Sequence, residues 1–312
     1  MKSEKTSPFG TGIFLCSVVC VLATLSCPPP GAQAEDPDSS LITIYTVNYP
    51  LKYFAQRIAG EQAGVVFPAP ADEDPAFWSP GPDTIGAFQK ADLILLNGAG
   101  YAKWVEKASL PRSKVLDTSA EFKDRYIKVA GAVTHSHGAG GEHAHEGVAF
   151  TTWLDFDLAA KQAGAIGNAL SQMRPDLLDE FQRNFAMLAR DLKDIDKSIR
   201  KIVSKNPSQP LIGSHPVYDY FSSRYGLNMK SVHWEPGETP SNEQWAELKG
   251  ILSNHQAKWM IWEGKPMQAS VDKLKSAGIG SLVFDPCGNA PDQGDFLSAM
   301  RQNVENLKAA FP

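Results

Sequence analysis

Between Pro175 and Pro207 the apolar residues Leu178, Phe181, Phe185, Leu188, Leu192, Ile195, Ile199 and Ile202 recur at three- and four-residue spacing. That stripe predicts one uninterrupted amphipathic helix over 176–204, and the two prolines are natural boundaries for it. At 1.5 Å per residue it would be about 44 Å long, enough to run the height of two small α/β lobes and join them by one stiff crossing. Such a joint allows a small rocking motion and resists a wide hinge opening.

On either side of the stripe, short apolar runs alternate with helical patterns, the signature of parallel sheets flanked by helices. Strands are expected at 41–47, 64–67, 92–97 and 114–117 in the first half, and at 210–214, 228–233, 258–263 and 281–285 in the second. The fold class is therefore α/β: two similar lobes, each a mainly parallel sheet of about four strands, joined by one long rigid helix. Residues 35–175 would form the first lobe, 176–205 the linking helix and 206–312 the second lobe.

Residues 1–34 read as an export signal. Lys2 and Lys5 precede an apolar run over 13–25, and Ala32-Gln33-Ala34 offers small residues for cleavage after Ala34. The run is shorter than the roughly 20 residues a spanning helix needs. Cys16, Cys20 and Cys27 leave with that segment, so Cys287 is alone in the exported chain and has no internal disulfide partner. It is either a small buried apolar side chain or a soft metal ligand. A net charge of -5 gives no basic footprint, which excludes nucleic acid as a partner.

Four of the seven histidines, His135, His137, His143 and His145, crowd into one glycine-rich stretch without apolar positions. Neutral imidazole is the commonest protein ligand for zinc, and the glycines let two His-x-His pairs face one ion. An exposed, metal-collecting loop is expected at 135–145. In open parallel sheets, ligands bind beyond the carboxyl ends of the strands. The second half places Ser214-His215, His233-Trp234-Glu235, Glu263 and Asp285-Pro286-Cys287 there. One imidazole with two or three carboxylates suits Zn²⁺ or Mn²⁺. Gly213-Ser214-His215 lacks the second glycine of a nucleophile elbow, and adjacent Ser and His cannot easily face one another, so no enzyme is expected.

Several motifs, in order, carry a family resemblance: Tyr49-Pro50-Leu51, Asp74-Pro75, Ala91-Asp92-Leu93-Ile94 leading to Asn97-Gly98, and Trp104. Trp153-Leu154, Ser214-His215, Tyr220-Phe221, Arg224-Tyr225-Gly226-Leu227 and Asp285-Pro286 follow. The chain resembles the zinc/manganese substrate-binding proteins of bacterial ABC importers, the cluster A-I or zinc-uptake type, over nearly all of its mature length. The resemblance implies one divalent ion held between the lobes by four side chains, an inner-membrane ABC permease as partner, a periplasmic location and a monomer. Carried over residue by residue, it assigns His215 and Asp285 as ligands. Glu235 matches the manganese-type branch, and His233 stands near it. Two first-lobe histidines of the family pattern are replaced by Ala76 and Thr151.

Three outcomes follow from that loss. The second lobe holds the ion through His215, Glu235, Asp285 and His233; or loop histidines such as His137 or His143 swing in; or the cleft takes a metal chelate or small organic ligand against Phe77, Trp78, Trp153, Trp234 and Trp262. The first two make the chain a zinc-capture protein, with manganese as the alternative cargo. The third makes it a receptor of the same fold for another ligand.

Overall fold

In a computed structural model, residues 41–129, 134–136, 142–144 and 147–312 are described; for 134–136 and 142–144 this means backbone only. The expected export signal, its three cysteines, His137 and His145 fall outside these residues.

All eight expected strands are present, each within a residue or two of its expected start and, β4 apart, shorter at the carboxyl end, and they form two parallel sheets. The first contains β1 (Ile42–Thr46), β2 (Ala63–Val66), β3 (Leu93–Leu96) and β4 (Val115–Asp117) in the order β2-β1-β3-β4. The second contains β9 (Pro210–Gly213), β10 (Asn228–Ser231), β11 (Trp259–Trp262) and β12 (Gly280–Val283) in the order β10-β9-β11-β12. Each order changes direction after its first strand, so each lobe has a switch point between its first and third strands, where open sheets accept ligands.

Helices α1 (Tyr49–Ala59), α2 (Pro82–Lys90) and α3 (Phe156–Met173) belong to the first half, and α5 (Asp219–Tyr225), α6 (Asn242–Asn254), α7 (Gln268–Ser276) and α8 (Phe296–Leu307) to the second. Local chemistry fixes their starts. Asn48 accepts the Leu51 N–H to cap α1, Asp155 accepts the Asp157 and Leu158 N–H groups to cap α3, and capping boxes open α6 and α8.

The long stripe becomes α4 (Leu178–Val203), about 39 Å of helix after one tight turn over Pro175–Leu177. Phe181, Leu188, Leu192, Ile195, Ile199 and Ile202 are buried along it. They pack on α1 and α3 from one half and on α8 from the other. One hydrophobic cluster thus runs through both halves, with a second cluster of Trp234, Trp245, Trp262 and their neighbours beyond the second sheet. Residues 41–312 form one compact unit.

Between β4 and α3 the chain makes two short antiparallel pairs. The foot joins β5 (Lys128–Val129) to β8 (Gly147–Val148); above it β6 (Thr134–Ser136) pairs with β7 (Glu142–Ala144), setting His135 opposite His143. Within the histidine-rich stretch the described backbone thus forms one antiparallel hairpin pair, β6 with β7. Among the described residues no helix is long and apolar enough to cross a membrane.

Gly98, just past β3, adopts φ +74°, and a Cβ there would run into the side chains of Ser119, Asp117 and Tyr126. Gly98→Ala is expected to cost about 1–3 kcal/mol through left-handed strain and that collision. Chemical denaturation would measure it as a lower midpoint with unchanged slope.

Candidate metal centre

Every strand of the second sheet delivers one donor side chain just beyond its carboxyl end: His215 after β9, Glu235 after β10, Glu263 after β11 and Asp285 after β12. Gly213 makes the first of these exits feasible. A Cβ at that position would approach Ser231 Oγ at 2.9 Å and the Tyr218 ring at 3.1 Å. Ser214 N–H still donates to Ile261 carbonyl at 2.8 Å, and Trp234 N–H then donates to Ser214 carbonyl at 2.7 Å, so β9 brings β10's exit alongside. Asp285 is held at both ends of its residue: its own N–H donates to Asn303 Oδ1 at 2.9 Å, and its Oδ1 accepts the Cys287 N–H at 2.6 Å.

His215 is 3% exposed and lies at the centre. Its Nε2 is 3.7 Å from Glu235 Oε1 and its Nδ1 is 3.8 Å from Glu263 Oε1. Ligand atoms of these three side chains all lie within 4.8 Å of one another. They share a cleft of about 340 Å³ with Asp285 and Asp74. Among the described residues the lining contains Asp72, Glu73, Asp74, Glu235, Glu263 and Asp285, one histidine, and no lysine or arginine. Burial, and then repulsion from Glu235, Asp74 and Asp285, lifts the Glu263 carboxyl well above the usual carboxylate range. Burial also raises Asp285, although the Cys287 N–H pulls the other way. A dication would relieve that crowding, and oxygen donors around one imidazole suit Zn²⁺ and tolerate Mn²⁺.

The first half supplies a wall, with Asp72, Glu73 and Asp74 as its acids among the described residues of the lining. Its switch point is plugged by amides: Asn48 Nδ2 donates to Asn97 Oδ1 at 3.2 Å, Gln162 Nε2 donates to the same oxygen at 3.2 Å, and Asn97 Nδ2 donates to Phe150 carbonyl at 2.8 Å. Ala76 is buried and absent from the cleft lining, and Thr151 lines it with a hydroxyl that donates to Val217 carbonyl at 2.6 Å. Neither replaces a missing imidazole. Trp153 completes the wall, its Nε1–H donating across to Pro286 carbonyl at 2.7 Å.

His233 stands behind this cleft. Its ring packs edge-on against His215 with centroids 5.8 Å apart, yet it lines two smaller cavities and not the main one. Burial lowers its basicity, against the pull of Glu247 and Glu235. Trp234 and Trp262, expected at cleft edges, are fully buried in the second cluster with ring centroids 6.0 Å apart. Cys287 is buried and reduced, and burial pushes its thiol far above the ordinary range, consistent with a packed apolar side chain. Glu263 was visible in the sequence as a strand-end acid without an assigned role; its place beside the β9/β11 switch point is what brings it to the centre.

A family model described as zinc-uptake complex component A, periplasmic, matches residues 44–310. The chain belongs to this family. Zinc-uptake component A relatives include the high-affinity zinc uptake system protein ZnuA of Bacillus subtilis, 25% identical with 96% of each chain covered. Another is the zinc-binding lipoprotein AdcA of Streptococcus pneumoniae, 25% identical over 94% of this chain, which spans only 60% of AdcA's length. The fold matches the Zn(II)-bound ZnuA-like domain of AdcA with a TM-score of 0.74 at 23% identity, covering 87% of this chain and 99% of that domain.

Because Glu263 holds its proton more tightly in the fold than in the unfolded chain, it favours the native state in acid. That advantage is lost as pH rises from the ordinary carboxylate range through its raised value. Glu263→Gln removes the buried charge. The metal-free variant is expected to melt above the native chain at pH 7.5, with the gap closing towards pH 4. Scanning calorimetry at both pH values checks this.

Proposed function

We propose that the chain is the solute-binding component of a zinc-importing ABC transporter, exported by cleavage after Ala34, and that it acts as a periplasmic monomer serving an inner-membrane permease. One divalent ion binds to His215, Glu235, Glu263 and Asp285, with Asp74 facing them from the other wall. The observation that carries this reading is the approach of His215 to both Glu235 and Glu263 at 3.7 and 3.8 Å. Zinc stands ahead of manganese because affinity of a mixed N/O site rises in that direction along the first-row series. The histidine hairpin gathers ions at low affinity and raises their local concentration beside the cleft.

Metal-free protein titrated with Zn²⁺ at pH 7.5 should take up one tight equivalent. At a hundredfold excess over Kd that equivalent should add about 2.7 kcal/mol of stability. A chain with glutamine at all four hairpin histidines should keep it. Absence of a thermal shift in that variant would favour the rival reading, a receptor for a metal chelate, for which the volume of the cleft and its Tyr101–Phe150–Trp153 wall leave room.

A further inference from the structure

The segment that leaves β12 crosses to the first half. Asp285 lines the main cleft; the Pro286 carbonyl after it accepts the Trp153 indole N–H at 2.7 Å, and the Gly288 carbonyl accepts the Tyr49 N–H at 3.0 Å. Asn289 completes the crossing. Its Nδ2 donates to the Pro70 carbonyl at 2.7 Å and to the Glu73 carbonyl at 3.0 Å, while its Oδ1 accepts the Ala290 N–H at 2.7 Å and so fixes the direction of the amide. Pro70 carbonyl also accepts the Glu73 N–H, but at 3.4 Å. One primary amide, with two N–H groups to give, therefore spans a turn whose own backbone bond is long.

That turn leads into the acids of the first-half wall, Asp72, Glu73 and Asp74. Asp74 begins a second turn directly after it: its carbonyl accepts the Phe77 and Trp78 N–H groups at 3.0 and 2.9 Å, and its Oδ1 accepts the Ala76 N–H at 2.9 Å. Asp74 thus sits at the joint of two turns, one braced by its own backbone and the other by Asn289. Its charge is felt inside the cleft. After burial it raises the Tyr101 phenol, and after burial and Glu235 it raises the Glu263 carboxyl.

We propose that Asn289 is a positioning residue for the ion: it holds the acidic turn of the first half against the second and so sets Asp74 as the first-half contact that Ala76 and Thr151 do not supply. The inference rests on the reading of the main cleft as the tight zinc site. A neutral amide suits the task, because it grips two carbonyls without competing for the cation. Asn289 and Asp285 leave the same strand, so the group that orients the first-half acid travels with a second-half donor.

The test uses the full chain with His135, His137, His143 and His145 all changed to glutamine, so that hairpin binding does not mask the result, and reads Zn²⁺ affinity by competition with a chromophoric chelator. Asn289→Ala should weaken the tight equivalent about tenfold, the scale found for groups that orient a metal ligand. Asp74→Asn should weaken it comparably, and the double variant should stay within about twofold of Asp74→Asn alone, since both act through one carboxylate. Asn289→Asp keeps the shape but turns a carboxylate on the Pro70 and Glu73 carbonyls, so it should bind zinc no better than Asn289→Ala despite its added negative charge. It also carries the test should the alanine variant fail to fold. Zinc affinity unchanged in Asn289→Ala, even with a lowered melting temperature, marks a purely structural bond and overturns the positioning role. Full additivity in the double variant, or tighter binding in Asn289→Asp, overturns it as well. His215→Ala run alongside keeps the underlying reading distinct. Unchanged affinity there removes the main cleft and this inference with it, whereas a loss there with none in Asn289→Ala sinks the inference alone.

Discussion

His215→Ala is expected to weaken zinc binding at least about a hundredfold, which corresponds to roughly 2.7 kcal/mol. Among the described residues of the cleft lining His215 is the single imidazole, and the other ionisable ligands described there, apart from the Tyr101 phenol, are carboxylates. Its loss leaves a set of oxygen donors that suits Mn²⁺ or Ca²⁺ better than Zn²⁺. The preference for zinc over manganese should therefore fall more steeply than manganese affinity itself. Competition against a chromophoric chelator, run with both ions, measures the two changes together. Zinc affinity unchanged in His215→Ala would remove the centre from the second-sheet strand ends. Acid should act in the same direction as the substitution, because ions compete with protons at each ligand. Glu263, whose proton is held more tightly than in an ordinary carboxyl, would make that competition felt at a higher pH than Asp or Glu alone would give.

The second large effect concerns the ion cluster behind the cleft wall. Arg224 Nε lies 2.9 Å from Asp196 Oδ1 on α4 and 3.3 Å from Asp155 Oδ1, the cap of α3. Arg125 reaches Asp155 Oδ2 at 2.8 Å, and Arg200 reaches Asp196 Oδ2 at 3.0 Å. Tyr225 adds a hydrogen bond to Asp196 at 3.1 Å. Burial acts against the ionised form of Asp196, but Arg224 and Arg200 hold its carboxyl below the usual range; at Asp155 burial prevails and the carboxyl is raised. Both acids are largely buried, so removing the guanidinium strands charge in a poor solvent. Arg224→Met, which keeps the aliphatic stem, should cost about 3 kcal/mol, or roughly 6 °C in melting temperature for a chain of this size. Adding Asp155→Asn should recover part of that loss, and a double-mutant cycle quantifies the coupling. A cost below about 0.5 kcal/mol would mean that solvent screens the cluster.

Hydrophobic periodicity made the architecture legible. Strands such as Leu93–Leu96 and Trp259–Trp262 are buried on both faces and read as continuous apolar runs, and the stripe that became α4 has no competing interpretation. Strand ends located His215, Glu235 and Asp285 in one cleft, because a parallel sheet sends all its carboxyl ends to the same edge. What periodicity does not encode is which way a residue turns after its strand. His233 and Glu235 are two apart, yet Glu235 reaches the main cleft while His233 lines only the smaller cavities behind it. Glu263 gained importance only through strand order, and the amide plug of Asn48, Asn97 and Gln162 joins residues too distant in sequence for any local pattern. Trp234 and Trp262 sit beside ligand positions in the chain, yet each packs inward.

On the proposed ligand set, the principal donors gather on one sheet, which separates grip from shelter. A receptor that drew the two halves of the molecule apart would strip the cover of Trp153 and Phe150 from the cargo, yet leave its main coordination sphere intact. Unloading then has to be achieved chemically, by protons or by a rival set of ligands presented to the newly bared side of the ion, and prying alone would leave the metal where it was.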